Sequence, residues 1–274
     1  MNQLSKEQRA RVISCLIEGC SIRSTVRMTG TAKKTVLRLL VEIGQACEDY
    51  HDKVMRGLPC KLIECDEIWS FVYAKEKNVP KNLKGVGVGD VWTWVAIDPV
   101  SKLIPSWHVG SRGANDAYWF IHDLKDRLKN RVQLTTDGHK AYLEAVEDAF
   151  GADIDYAMLI KLFGNEIPSG EVRYSPPVCI GAQKKRITGN PEKDLISTSY
   201  VERQNLTMRM GMRRFTRLTN AFSKKFTNHC AAIALHFMHY NFARIHQSLR
   251  VTPAMEAGIS DHVWSLEEIA ALLD

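Results

Sequence analysis

Three carboxylic acids lie inside a segment that otherwise has the composition of a buried strand. Glu64, Asp66 and Glu67 interrupt the apolar run over residues 62–69. Acids are disfavoured in strands and costly to bury without a partner, so we expect a compensating group beside them. In a regular strand Glu64 and Asp66 share one face and Glu67 lies on the other. The pattern predicts an acidic site on this strand, and the spacing alone leaves open which acid serves it.

Two further acids occur where they could join this group. Asp137 follows a short apolar segment and precedes Gly138, and Glu202 lies in the predicted first turn of a helix. Each has an ordinary explanation, because Asp-Gly is a common turn dipeptide and a glutamate suits a helix N-terminus. Two acids on neighbouring strands and one on a later helix could nevertheless converge on a divalent cation. Carboxylates suit Mg²⁺, and two such ions activate a water or hydroxyl and stabilise the leaving oxygen of a phosphodiester.

The first sixty residues predict three short helices. Apolar spacing indicates a helix over residues 6–18, Ser21 caps a second helix that Gly30 closes, and Thr31 caps a third. This layout is typical of a helix-turn-helix whose last helix enters the major groove of DNA. The alternative is a helical cap with solvated lysines. Three basic residues near the start of the third helix are the candidate DNA contacts, namely Lys33, Lys34 and Arg38.

After a linker predicted over residues 49–59, the sequence changes from helical to strand spacing. Segments 61–73, 91–98 and 103–110 are rich in Val, Ile and Trp and predict three strands in hairpin order. Further segments predict helix, strand, helix, strand, helix and helix, over residues 114–128, 132–136, 140–150, 156–162, 198–214 and 222–244. Strands interspersed with helices in this way predict a mixed α/β domain.

The basic charge is concentrated in two segments. The formal net charge of the 274 residues is +6. Residues 1–60 hold 10 basic and 6 acidic side chains, residues 184–225 hold 11 and 3, and the remainder holds 16 and 22. A solvated face is the ordinary explanation of a basic run. Two basic segments around an acidic middle also fit a protein that contacts a phosphate backbone at two places and holds metal between them.

Composition excludes several classes of protein. Hydrophobic residues at 45% and charged residues at 25% are ordinary for a globular chain and argue against a disordered or collagen-like one. No apolar run of membrane-spanning length and no signal peptide is apparent, so we expect a cytoplasmic protein. The seven cysteines lack close pairs and predict reduced thiols. A zinc site from Cys47, His51, Cys60 and Cys65 is a weak alternative, because the usual close Cys pairs are absent.

The motifs occur in a fixed order over nearly the whole chain. They are Asp66 in a strand after the three helices, Thr136-Asp137-Gly138, Tyr200-Val201-Glu202 with Asn205 and Arg209, Tyr240-Asn241-Phe242 with His246 and Leu249, and Thr252-Pro253-Ala254. In this combination the chain resembles the DDE-class transposases of bacterial and archaeal insertion sequences. The nearest group is the insertion-sequence-one family, and a family with a shorter spacing between the second Asp and the Glu is the next candidate.

The resemblance implies a fold and an activity. The fold is a ribonuclease-H-like mixed sheet flanked by helices, preceded by a small all-α helix-turn-helix domain. Asp66, Asp137 and Glu202 become the catalytic and metal-binding acids, with Mg²⁺ as the cofactor and Mn²⁺ as a substitute. The implied activity is hydrolysis that frees a 3′-hydroxyl at each element end, followed by attack of that hydroxyl on target DNA. The implied partners are double-stranded DNA at terminal inverted repeats, target DNA and a second copy of the chain, as a homodimer or higher oligomer, in the nucleoid of a prokaryote and away from membranes.

The resemblance also divides the chain into domains. Residues 1–58 form the helix-turn-helix domain, residues 59–250 the catalytic domain and residues 251–274 a C-terminal turn and short helix. The 64 residues between the second and third acids exceed the spacing of compact relatives, so residues 158–193 are interpreted as an insertion.

Other basic and polar residues are assigned to the same site or to DNA. His139 is a candidate proton shuttle or phosphate donor, with a capping or surface role as the alternative, and Asn205 is a candidate accessory residue. Lys184, Lys185 and Arg186 could contact DNA or a second subunit, or form a solvated loop. The remaining candidate DNA contacts follow Glu202 and are Arg203, Arg209, Arg213, Arg214 and Arg217.

Two other functions remain open from the sequence. A domesticated, sequence-specific DNA-binding regulator would keep the N-terminal helices and use the catalytic domain only as a scaffold. The intact set of three acids argues against it. A structure-specific nuclease of the same fold, such as a junction resolvase, would read DNA shape, and the N-terminal helices argue against that.

Overall fold

The computed structural model describes residues 4–85, 87–164, 179–216 and 220–274. Six strands form one mixed sheet in the order β3-β2-β1-β4-β5-β6. The strands are β1 (Leu62–Val72), β2 (Gly89–Ile97), β3 (Trp107–Gly110), β4 (Gln133–Thr136), β5 (Asp155–Phe163) and β6 (Cys179–Thr188). The predicted α/β class is therefore confirmed, as are the three antiparallel strands in hairpin order.

The long strand β1 sets the register of the sheet. It pairs antiparallel with β2, and β2 pairs antiparallel with β3. On its other side β1 runs parallel to β4, β4 runs parallel to β5, and β6 returns antiparallel to β5. The last residue of β4, Thr136, lies opposite Cys65, so β1 continues past the point where β4 ends. The residues that follow Cys65 and Thr136 in the sequence therefore meet at one place.

Helices form where the sequence supplies both an apolar stripe and a stop or start signal. Ser5 and Ser265 each cap a helix in a reciprocal capping box, and Ser21 caps the second helix. Gly30 ends that second helix in the left-handed region, with φ of 70°. In the described ranges the helices are α1 (Lys6–Ile17), α2 (Ile22–Thr29), α3 (Lys33–Val54), α4 (Ala114–Arg127), α5 (Ala141–Phe150), α6 (Ser199–Gly211), α7 (Phe226–Met238), α8 (Pro253–Glu256) and α9 (Leu266–Ala271).

Two predictions for the third helix are wrong. α3 continues to Val54, so the linker predicted over residues 49–59 is helical in its first half. The reason is that His51, a residue expected in the linker, is buried and extends the packed face of the helix. The helix begins after Ala32, which makes no side-chain cap, rather than being capped by Thr31.

Side-chain alternation along β1 divides the core between the two faces of the sheet. Ile63 and Cys65 lie in the cluster that α4 and α5 cover, and Ile68 lies in the cluster that α6 and α7 cover. Ile13 of α1 and Leu40 of α3 are fully buried in the first of these clusters. The N-terminal helices are thus packed into the same core as the sheet. In the described ranges no helix is both long enough and apolar enough to cross a membrane.

One sequence motif near the C-terminus has a structural role. The chain leaves α7 through a π-helical turn over His239–Ala243. Within it the buried amide of Asn241 accepts from the backbone N–H of Ile104 at 3.0 Å and donates to its carbonyl at 3.0 Å. The side chain therefore replaces a neighbouring strand for the segment that leads into β3.

Helices α3 and α7 approach each other closely at Gly44. A Cβ atom placed on Gly44 would lie only 2.7 Å from the carbonyl oxygen of Ala231, a backbone atom that cannot rotate away. Gly44 is buried and has an ordinary helical conformation, so it is required for its lack of side chain.

Substitution Gly44→Ala should therefore destabilise the protein. In an exposed helix this change would stabilise by about 1 kcal/mol through helix propensity. Here overpacking against Ala231 should outweigh that gain and lower the free energy of unfolding by about 1–3 kcal/mol. Urea denaturation measures the change, with the exposed neighbour Gln45→Ala as the control that should leave it almost unaltered. A Gly44→Ala protein as stable as the control would show that the helices can separate without cost.

Candidate metal centre

Three acids meet where β4 ends beside β1. Asp66, Glu67 and Asp137 each offer one carboxylate oxygen, and these oxygens lie within 4.8 Å of one another. Two of them were assigned to the site from the sequence, and the register of β1 and β4 brings them together. Glu67 is the added member. It alternates with Asp66 along β1, as expected, yet one of its carboxylate oxygens lies in the same group.

Asp66 is the central acid of the group. Its Oδ2 accepts a hydrogen bond from Nδ2 of Asn205 at 2.8 Å. Burial, with repulsion from the Glu67 and Asp137 carboxylates, raises the pKa of Asp66 to about 7. Without a bound cation, this carboxyl is therefore partly protonated near neutral pH.

Both carboxylate oxygens of Glu67 accept hydrogen bonds from within the protein. Its side chain is completely buried; Arg112 Nε donates to Oε1 at 2.6 Å, and Tyr142 OH donates to Oε2 at 3.1 Å. Burial first and the Asp137 carboxylate second raise the pKa of Glu67, whereas the Arg112 guanidinium opposes the rise. A terminal nitrogen of Arg112 also lies 3.7 Å from Asp137 Oδ2.

Glu202 lies in the same cleft but outside the group of three oxygens. The cleft has a volume of about 1160 Å³ and is lined by Asp66, Asp137 and Glu202 among others. Thr198 Oγ1 donates to Glu202 Oε1 at 2.6 Å, and Lys161 Nζ of β5 donates to Oε2 at 2.5 Å. The carboxylate of Glu202 is thus paired with a lysine across the cleft from the other acids.

Glu64 has a different role from the acids that follow it. Its Oε2 accepts from the backbone N–H groups of Tyr200 at 2.8 Å and Val201 at 3.0 Å, in the first turn of α6. Burial raises the pKa of Glu64, and these two hydrogen bonds oppose that rise. Glu64 fixes the start of α6 on β1, and α6 carries Glu202 and Asn205.

The donor set fits a hard divalent cation. All the converging groups are oxygen donors, which is the preference of Mg²⁺ and Mn²⁺. Asn205 adds an independent observation, because it is only 4% exposed and its Oδ1 has no hydrogen-bond partner among the described residues. An orphaned acceptor beside crowded carboxylates is the environment in which metal-bound water finds a partner. The weak zinc alternative at Cys47 and His51 gains no support, since no such group forms within the described ranges.

The accessory histidine supports the turn after β4. The His139 backbone N–H donates to Asp137 Oδ1 at 2.9 Å, and its ring Nε2 lies 3.3 Å from the carbonyl oxygen of Arg112. Asp137 and His139 therefore form a side-chain turn that orients the acid. This is the capping role that the sequence left open as the alternative.

The basic residues proposed for DNA lie in different environments. Lys33, Lys34 and Arg38 are exposed on α3, and Arg38 pairs with Glu42 at 3.6 Å. Lys184, Lys185 and Arg186 are exposed on β6. Arg209 lines the acidic cleft. Two other exposed arginines do not line it, Arg203 and Arg213.

Two of the predicted contacts need separate comment. Arg214 does not project freely from the surface, because its Nη1 donates to Ser223 Oγ at 2.6 Å and burial lowers its pKa to about 10. This placement gives Arg214 a packing role, and its DNA contact stays a prediction. Arg217 lies outside the described residues, as does part of the predicted 158–193 insertion.

Sequence reasoning missed Arg112 and Lys161, which are cations paired with acids of the cleft. Both belong to pairs far apart in the chain, with Glu67 and Glu202, so no local spacing reveals them. The only local signal at Arg112 is a basic residue in the turn between β3 and α4.

No protein-family model matches the chain, and no curated protein matches it.

Asp66→Asn should stabilise the metal-free protein at neutral and higher pH. Because the folded pKa of about 7 exceeds the unfolded value of 3.8, the stability that the protonated carboxyl supplies is complete below about pH 4 and is lost as pH rises to about 7. At pH 8 in chelator the variant should be more stable by about 1–3 kcal/mol, and the difference should vanish near pH 4. Denaturant unfolding at both pH values measures it, with the exposed Asp126→Asn as the control. Equal stability at pH 8 would contradict the repulsion.

Divalent metal should reverse the same repulsion. Millimolar Mg²⁺ or Mn²⁺ at pH 8 should stabilise the wild type by about 1–3 kcal/mol, because a ligand that binds only the folded state adds RT ln(1 + [L]/Kd). Asp137→Asn should lose this response, and Asp126→Asn should keep it. Thermal melting with and without metal measures the effect. An equal shift in all three proteins would locate metal binding elsewhere.

Proposed function

We propose that the protein is a DDE-class DNA transposase, a metal-dependent enzyme that cleaves phosphodiesters at element ends and joins the freed 3′-hydroxyls to target DNA. The observation that carries the proposal is the meeting of Asp66 and Asp137 at adjoining positions of parallel strands, with Glu202 across the same cleft on α6. These are the three acids, in the same order, on which the resemblance to this class rests. Mg²⁺ is the proposed cofactor, and Mn²⁺ the substitute.

The sheet supports the fold that the proposal needs. Three antiparallel strands followed by two parallel ones in the order β3-β2-β1-β4-β5, with helices on both faces, agree with a ribonuclease-H-like domain. β6 extends this sheet by pairing with β5. It lies within the proposed insertion at residues 158–193.

The residues around the acids divide the chemical work. Bound divalent metal supplies activation of a water or hydroxyl and neutralises charge on the phosphodiester. Asp66 and Asp137 hold that metal, and Asn205 orients Asp66 through its amide N–H. Arg209, which lines the cleft, offers a cation for the DNA backbone.

The exposed basic residues suit long, double-stranded DNA. α2 and α3 with the turn at Gly30 are proposed as a helix-turn-helix that reads the terminal inverted repeats through the exposed start of α3. The basic residues on β6 are proposed to contact target DNA or the second subunit. Two ends must be brought together, so the active species is a homodimer or larger, and its proposed location is the nucleoid of a prokaryote.

The proposal predicts that DNA flanking the gene is the substrate. Labelled duplexes covering both flanks, incubated with the protein and Mg²⁺, should be nicked at short inverted repeats and then joined to a second duplex. Asp137→Asn should lower the cleavage rate by about 1000-fold or more while leaving DNA binding intact, because the acid serves metal and not affinity. Asp126→Asn is the matched carboxyl-to-amide control and should cleave normally.

The alternatives give different results in the same assay. Cleavage retained by Asp137→Asn would refute the metal centre. Sequence-specific binding without cleavage by the wild type would indicate a regulator. Cleavage of branched DNA regardless of the flanking sequence would indicate a structure-specific nuclease.

A further inference from the structure

Arg112 is a cation at the acidic centre that the proposed reaction leaves without a role. It lies in the turn between β3 and α4, and its side chain is 42% exposed in the cleft. Most arginines beside acids act as counterions. The contacts of Arg112 indicate something more specific.

The guanidinium is anchored on one edge and supported on one face. Its Nε donates to Glu67 Oε1 at 2.6 Å, and Glu67 is itself held by the buried hydroxyl of Tyr142. The guanidinium carbon lies 4.6 Å from the ring centroid of Trp92. A planar cation with a buried carboxylate at one edge and an aromatic ring on one face is pre-organised, so it loses little freedom when it binds a ligand.

The other edge of the guanidinium remains available. The terminal nitrogen nearest Asp137 is 3.7 Å from the carboxylate, which is longer than a hydrogen bond. Among the described residues, none accepts a hydrogen bond from either terminal nitrogen of Arg112. Were Arg112 only a counterion for Asp137, closer contact would be expected. Two parallel N–H donors on a fixed guanidinium match the geometry of a phosphate group.

The surroundings suit an anion that enters the cleft. Arg112, Lys161 and Arg209 line the same cleft as the acids. Fixed cations beside Asp66 and Asp137 reduce the repulsion between these carboxylates and an approaching polyanion. Arg112 is anchored among them by a buried carboxylate, that of Glu67.

We propose that Arg112 binds a phosphate of the DNA backbone beside the metal centre, and that Glu67 is the residue that positions it. The identity of the polymer rests on the proposed function, whereas the phosphate contact rests on the geometry. Glu67 thereby gains a role that does not require it to coordinate metal, since both of its oxygens already accept hydrogen bonds.

DNA affinity tests the contact. A fluorescent duplex from the gene flank is titrated with protein in Mn²⁺, and every variant also carries Glu202→Gln to prevent cleavage. Arg112→Gln should weaken binding roughly 10- to 100-fold, the value of a charge-assisted hydrogen-bond pair. Arg131→Gln is the matched control, because Arg131 also pairs with a carboxylate, Asp155 at 2.7 Å, but does not line the cleft. It should bind DNA normally.

A neutral methylphosphonate, moved along the duplex one phosphate at a time, identifies the group that Arg112 contacts. At one position the methylphosphonate should strongly weaken DNA binding by the Glu202→Gln protein, and it should weaken binding by the variant that also carries Arg112→Gln much less. Glu67→Gln should show the same loss of coupling at that position, which a merely structural role would not produce. Thermal melting and Mn²⁺ binding should show that these variants are folded and still bind metal.

The outcomes separate this proposal from the proposed function. The phosphate contact would be overturned if Arg112→Gln bound DNA as tightly as Arg131→Gln. It would also be overturned if the effects of the methylphosphonate and of Arg112→Gln on DNA affinity were independent at every position. Either result would hold even if the wild type cleaves DNA. Competition by millimolar inorganic phosphate that depends on Arg112, without any loss of DNA affinity in the variant, would also overturn it in favour of a free anion. If Arg112→Gln lost DNA affinity, Arg131→Gln kept it and the wild type cleaved no DNA, the phosphate contact would be supported and the transposase proposal refuted.

Discussion

Mutual repulsion among the carboxylates of Asp66, Glu67 and Asp137 is the constraint around which this region of the protein is built. Three acids with oxygens less than 5 Å apart would drive the strand ends apart unless the surroundings compensated. The compensation is divided. Arg112 and Tyr142 donate hydrogen bonds to both oxygens of Glu67. Asp66 has a raised pKa, so its charge is neutralised by a proton or by a bound cation. Folding alone does not account for such a cluster, because hydrophobic residues of similar volume often pack at least as favourably.

The framework around the acids is fixed by backbone contacts and by few side chains. Glu64 ties the first turn of α6 to β1 through two backbone N–H groups. Asn205, one turn further along α6, donates a hydrogen bond to Asp66. Helix α6 and strand β1 are thus joined at two points, through Glu64 and through Asp66. Orientation of Glu202 relative to Asp66 follows from these two connections, with Lys161 and Thr198 setting its rotamer.

Local patterns in the sequence were sufficient for most of the secondary structure, whereas the choice of Asp66 and Asp137 as site residues came from the family resemblance. Strand composition, capping serines and glycine stops act over a few residues and can therefore be read directly. The extent of α3 could not be read, because His51 is buried by partners distant in the chain. The same limit applies to Arg112 with Glu67 and to Lys161 with Glu202, whose pairing depends on sheet register and on the crossing of α6. Arg214 shows the converse, since a basic run looks the same whether a member is solvated or packed.

Under the proposed function, the contact between α3 and α7 bears on the spacing between the DNA sequence that is recognised and the bond that is cut. α3 is one continuous helix of 22 residues, roughly 33 Å long, with Lys33, Lys34 and Arg38 near its start and Gly44 packed against α7 in its middle. A reading domain on a flexible tether could accept a range of distances between the sequence it recognises and the bond that is cut. Here α3 packs into the same core as the sheet that carries the acids, so under the proposed function the protein would fix this distance. The number of base pairs between recognised sequence and cleaved bond would then be a property of the fold, and altering it would require bending of the DNA.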